Sequence, residues 1–203
     1  MRTIHKLQSG RIPAYFVKRR VKKESAAGSR ASIIHSVKPL LPPDLHHLNA
    51  AMGWLGLGCP TDAREELKLL SATSQQHPAA LEVRWTLCVC EESWTEALAV
   101  AELELIAHPI DASGWLHRAY ALRRIPSGGL EQAWKALLPA SEKFPTEPVI
   151  PFNLACYACQ QKKLELARQW LQRSIQIGGK EAIKKMALAD EDLKPLWPEI
   201  QNL

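Results

Sequence analysis

The sequence predicts an all-α protein. From Asp44 onward, apolar residues recur at helical spacing in one segment after another, and no segment keeps the alternation of a strand. Glycine and proline break these segments into helices of about 12–15 residues joined by short turns.

Residues 1–43 stand apart. They hold ten Lys or Arg and one acid, Glu24, for a net charge of +9. The remaining residues carry a net charge of −4, so the basic character belongs to the first stretch and not to the rest. The run KRRVKK (Lys18 to Lys23), the stretch SAAGSRAS and the pair Pro42-Pro43 read as a mostly disordered basic arm ending in a proline stop. Two short apolar patches, IPAYFV and ASIIHSV, interrupt it.

Residues 44–179 are read as paired helices. ALEVRWTLCVC, WTEALAVAELELIA, WLHRAYALRR, LEQAWKALL and LELARQWLQRSIQ each carry an apolar stripe. Ser93-Trp94-Thr95-Glu96 has the form of a capping box. Breaks are expected at Gly58-Cys59-Pro60, Pro109, Pro126-Ser127-Gly128-Gly129, Pro145 and Gly178-Gly179. Pro139 falls inside a helical pattern and should kink it. Residues 180–203 read as one more helix, with Ile183, Met186 and Ala187 on one face, followed by a tail.

The helices repeat. Ala63, Ala97, Ala133 and Ala167 lie 34, 36 and 34 residues apart, each opening the second helix of a pair. Four residues on come Leu67, Ala101, Leu137 and Leu171. Twelve residues before three of those alanines stand Ala51, Trp85 and Ala155. In the third pair Ala119 is 14 residues before Ala133, and the loop PSGG absorbs the difference. Small residues at a fixed period let two helices approach closely. This pattern resembles the tetratricopeptide repeat, best in Trp115, Ala119, Leu122, Ala133, Leu137, Ala140 and Pro145.

The resemblance implies a right-handed superhelix of about four antiparallel helix-turn-helix repeats, closed by a C-terminal capping helix. It also implies a concave groove lined by the first helix of each pair. Carried over, the groove positions are Leu45, Leu48, Met52 and Leu55; Ala79, Glu82, Thr86 and Val89; Ser113, Leu116, Tyr120 and Arg123; and Val149, Phe152, Cys156 and Cys159. Asn153 matches a peptide-contacting position. Arg84 and Arg118 fall where the family keeps a buried Leu. They call for a partner among Glu82, Glu102 and Glu104, or for a route to water.

Little in the chain suggests bond chemistry. Cys156 and Cys159 form a C-x-x-C, but no βαβ pattern surrounds them and no second ligand pair is near in register. They read as small apolar helix positions. His46-His47 is an i, i+1 pair, which cannot chelate from one helix face, and no phosphate-binding or nucleophile-elbow motif is present. No enzyme activity, metal or cofactor is therefore expected.

The sequence points to an adaptor or scaffold that binds a helical or extended peptide in a mostly apolar groove. Glu82, Thr86, Leu116, Tyr120, Arg123, Phe152, Asn153 and Cys156 are the candidate contacts. The alternative is association with nucleic acid or an anionic surface through Lys18, Arg19, Arg20, Lys22 and Lys23. With no apolar run of signal-peptide or membrane-span length and an odd number of cysteines, a reduced cytoplasmic setting with free thiols is expected.

Overall fold

The computed structural model describes residues 39–203, and every regular element among them is a helix. The basic residues Lys18 to Lys23 lie outside the described residues. Two compact units meet in sequence between Ser93 and Trp94, and each is taken by itself.

The first unit holds α1 (Asp44–Gly56), α2 (Pro60–Lys68), a short 3-10 turn (Ser74–Gln76) and α3 (Pro78–Cys90). Pro60 and Pro78 stand in the first helical turn, where a missing N–H costs nothing. The core gathers Leu48 and Ala51 from α1, Ala63 and Leu67 from α2, Leu70, and Ala80, Val83 and Leu87 from α3. Polar ties hold its rim. Ser71 donates its N–H to Asp44 Oδ1 at 2.9 Å. His47 Nδ1 meets Glu66 Oε2 at 2.8 Å, and Arg64 Nε donates to Glu91 Oε1 at 3.3 Å.

The second unit runs through α4 (Trp94–Ala107), α5 (Ser113–Leu122), α6 (Leu130–Leu137), α7 (Ala140–Lys143), α8 (Val149–Gln160), α9 (Leu164–Gly178) and α10 (Lys180–Leu188). A 3-10 segment (Glu191–Leu196) and α11 (Trp197–Gln201) complete it. Successive helices pack on one another: α4 on α5, α5 on α6, α6 on α8, and α8 on α9. Between α6 and α7 the helical path breaks at Leu138-Pro139, because proline offers no N–H to continue the ladder. Leu138 and Pro139 keep right-handed helical dihedral angles, so the hydrogen-bond ladder is interrupted while the backbone stays in the helical region.

The repeat positions share one environment. Ala51, Ala63, Trp85, Ala97, Ala101, Ala119, Ala133, Leu137, Ala155 and Ala167 are all 0% exposed. Trp85 is fully enclosed although the pattern calls for a small residue there. The turns repeat as well. Cys59, Ser93 and Lys163 each donate a backbone N–H to the carbonyl five residues earlier, on Trp54, Cys88 and Ala158, at 2.8–2.9 Å. The residue before each donor is left-handed: Gly58 at φ 75°, Glu92 at 54° and Lys162 at 62°. Each stands five residues ahead of its repeat alanine. This is a 6→1 helix ending, written three times at the repeat period. The third pair replaces it with the longer Pro126–Gly129 turn, where Gly129 donates to the Leu122 carbonyl at 2.9 Å.

Candidate interaction surface

Along α1 and α3 of the first unit, the carried-over groove positions stay largely open. Leu45 and Met52 are 38% and 47% exposed on α1, one above the other at i, i+7. Ala79 is exposed, and Glu82 and Thr86 are half-buried on α3, where the Thr86 hydroxyl donates back to the Glu82 carbonyl at 2.9 Å. Only Leu48 and Val89 of these eight positions are buried.

In the second unit the equivalent positions are closed. Leu116, Tyr120, Val149, Phe152, Cys156 and Cys159 are all buried. Asn153, half-buried, donates its side-chain N–H to the Val149 carbonyl at 2.9 Å. The C-terminal segment explains part of this closure, since the 3-10 stretch Glu191–Leu196 packs along α8. Arg123, at the end of α5, is ion-paired with Asp192, its Nη2 donating to Oδ1 at 2.8 Å. Gln160 donates its side-chain N–H to the Asp192 carbonyl at 2.9 Å, and the Cys156 thiol points at Asp190 Oδ2 from 3.8 Å. Asp190 caps the segment by accepting the Asp192 N–H at 3.0 Å.

Apolar anchors hold the rest of that segment. Leu193, Leu196 and Ile200 are at most 1% exposed. Leu193 and Leu196 share one face because a 3-10 helix stacks i on i+3. Trp197 Nε1 donates to the Ala187 carbonyl at 2.9 Å, and Arg168 grips Glu199 through Nε and Nη2 at 2.7 and 2.8 Å.

The electrostatics of this face result from burial. Burial alone would lower the Arg123 guanidinium, but the Asp192 hydrogen bond and charge reverse that and hold it above its ordinary value. Arg124 beside it is lowered by burial. It lies 3.5 Å over the Tyr120 ring and 5.0 Å over Trp94, donates to the Tyr120 carbonyl, and forms no ion pair with a carboxylate among the described residues. Burial raises Asp190, raises the Tyr157 phenol and pushes the Cys156 thiol well above the usual range. The Tyr157 hydroxyl is buried with no hydrogen-bond partner among the described residues.

A Cys156 sulfur and one oxygen each of Asp190 and Asp192 lie within 4.8 Å of one another, a spacing that would suit a metal ion. Arg123 already pairs with Asp192 of that cluster, and a thiol with its proton held on is a poor ligand. All five cysteines are free thiols.

Arg118, flagged by the sequence, is only partly buried and pairs with Glu102, one of the partners foreseen, at 2.8 Å. The deeply buried polar contact on α4 and α5 is instead His117 Nδ1 to Glu104 Oε2 at 2.6 Å, which sequence reasoning missed. It also missed Asp190 and Asp192. The only available signal was an acidic turn beside two leucines in a stretch read as tail. No helix among the described residues is long and apolar enough to cross a membrane.

No family model matches the chain, and no curated protein matches it.

Proposed function

We propose that this chain is a protein-interaction module of tetratricopeptide type, an adaptor or scaffold that takes up a helical or extended peptide segment without bond chemistry. The supporting observation is the contrast between inside and outside. The repeat alanines are completely enclosed, while Leu45 and Met52, which gain nothing for the fold by facing water, remain exposed on the helix that the resemblance assigns to the groove. Apolar side chains presented at i, i+7 suit an apolar face of a partner helix or alternate side chains of an extended strand.

The test is a capture experiment with three proteins: the full chain, the chain lacking residues 1–43, and the full chain carrying Leu45→Glu and Met52→Glu. The expected result is a partner retained without residues 1–43, lost with the two substitutions, and barely sensitive to salt. A partner lost with residues 1–43, whose affinity falls steeply as salt rises, would move the function to the basic segment.

A further inference from the structure

Within the second unit, one short segment behaves chemically as a ligand. Residues 190–196 present three consecutive acids, Asp190, Glu191 and Asp192, of which the first and third meet the face, then Leu193 and Leu196 three residues apart. The face they meet supplies a matching part for Asp192 and for both leucines. Arg123 takes Asp192 through two donors, and Gln160 takes the Asp192 carbonyl. The Cys156 thiol approaches Asp190, and both leucines are enclosed. The face carries two guanidinium groups, Arg123 and Arg124, against the two carboxylates of Asp190 and Asp192. Arg124 adds a guanidinium whose partners are a carbonyl and two rings, and the buried Tyr157 hydroxyl adds a donor with no acceptor among the described residues. A cap evolved only to cover apolar surface would not require paired acids on a basic socket, since apolar residues cover such surface without desolvating charge.

We propose that the face of α5 and α8 is a binding surface for an acidic partner segment of the form Asp-x-Asp-Leu-x-x-Leu, and that residues 190–196 occupy it in cis. The proposal rests on the interaction-module reading and names the partner chemistry of one part of that module. The exchange is feasible because a partner of this form restores each contact that it displaces. The covalent tether sets a local concentration in the millimolar range for the resident segment. A partner in trans must overcome that advantage, so its apparent affinity is reduced by the fraction of chains in which the segment is docked.

The experiment uses the full chain with Cys59→Ser and Cys90→Ser, so that the reactive thiols of interest are Cys156 and Cys159, with buried Cys88 as an internal reference. The probe is the peptide Ac-ADEDLKPL-NH2, with an otherwise identical peptide carrying Asn for both Asp as control. Asp192→Asn weakens the resident segment alone. It should raise maleimide labelling of Cys156 and Cys159 about ten-fold while leaving Cys88 unchanged, and tighten peptide binding by about ten-fold or more, as loss of a charged hydrogen bond implies. Adding Arg123→Gln should abolish that binding, and the Asn peptide should not bind. If Asp192→Asn perturbs folding, hydrogen exchange on the unsubstituted chain gives the same answer: millimolar peptide should accelerate exchange at 190–196. Labelling that rises with no peptide bound, binding that survives Arg123→Gln, or exchange that the peptide leaves unchanged would each overturn the proposal. A capture experiment that returns no cellular partner would count against the interaction module and leave the peptide result standing.

Discussion

The two units use the same turn and the same enclosed alanines, yet treat the same repeat positions in opposite ways. On α1, Leu45 and Met52 face water; on α8, their counterparts Val149 and Cys156 are buried. The helices themselves are alike, and part of the difference lies in the chain beyond them. The second unit carries residues 180–203, whose Leu193, Leu196 and Ile200 are buried with it. The described part of the first unit has no counterpart. The repeat positions are thus enclosed in both units, and in the second the residues beyond them cover part of the face.

Removing the difference is the largest perturbation. A chain ending at Leu188 loses three enclosed aliphatic side chains, each worth about 1.5–3 kcal/mol of burial. It should lose about 5 kcal/mol or more in the second unit, seen as a drop in Tm and as new reactivity of Cys156 and Cys159. Exchange protection in α1 and α2 should hold. Matched loss in both units would dissolve the comparison.

The shared interior can be tested from within. Ala63→Leu and Ala167→Leu overpack equivalent positions, one per unit, and each should cost about 1–3 kcal/mol by denaturant titration. Clearly unequal costs would show that the two interiors differ despite equal burial.

Ion pairs separate the units more gently. Arg123→Gln leaves Asp192 in a partly closed site and should cost about 2 kcal/mol. Arg64→Gln breaks a pair in which the Arg64 side chain is 33% exposed, and should cost less than about 1 kcal/mol. Thermal melts of both variants at low and high salt check the order.

The smallest effect is in sign. Hydrogen bonds from the Ser71 and Ser74 side chains and the Ser71 backbone hold Asp44 below the usual carboxylate value of 3.8, so its contribution is present above that pH and is lost as pH falls below it. Burial raises Asp190 above 3.8, so its ionised form disfavours the fold at neutral pH, and that penalty is relieved as pH falls through the raised value. Acid titration of exchange protection should weaken the first unit at Asp44, whereas in the second the gain at Asp190 is set against loss of the Arg168 contact to Glu199, whose carboxyl that hydrogen bond holds below its usual value. Asp44→Asn should flatten the first response, and Asp190→Asn should stabilise slightly at pH 7 with a gain that vanishes near pH 4.

The helices and their breaks were legible because each has a local cause. Pro60 and Pro139 act through their own missing N–H, and the 34-residue spacing of Ala63 and Ala97, repeated in Ala133 and Ala167, records contacts made by near neighbours in sequence. The surface was less legible. Arg123 sits at a groove position in the repeat register, but its fate depends on Asp192, 69 residues away. Nothing periodic marks a six-residue 3-10 segment. His117 was overlooked for a related reason: the pattern drew attention to Arg118, whose long side chain reaches Glu102 at the edge, while the shorter imidazole next to it turned inward.

The turns that end α1, α3 and α8 carry one more implication, for how length can be added to this chain. Gly58, Glu92 and Lys162 hold the same left-handed bend, and the two non-glycine residues bear a strain of about 1 kcal/mol each. The Pro126–Gly129 turn escapes that bend by being longer. It is bounded by Gly128, where an added Cβ would lie 1.8 Å from the Leu122 carbonyl oxygen, while Pro126 and Ser127 are exposed. Closing a longer flexible loop costs only about 0.6 kcal/mol per doubling. The bond between Pro126 and Ser127 is thus a natural splice point, where an inserted epitope or fluorophore loop can ride on the second unit and leave its enclosed alanines undisturbed.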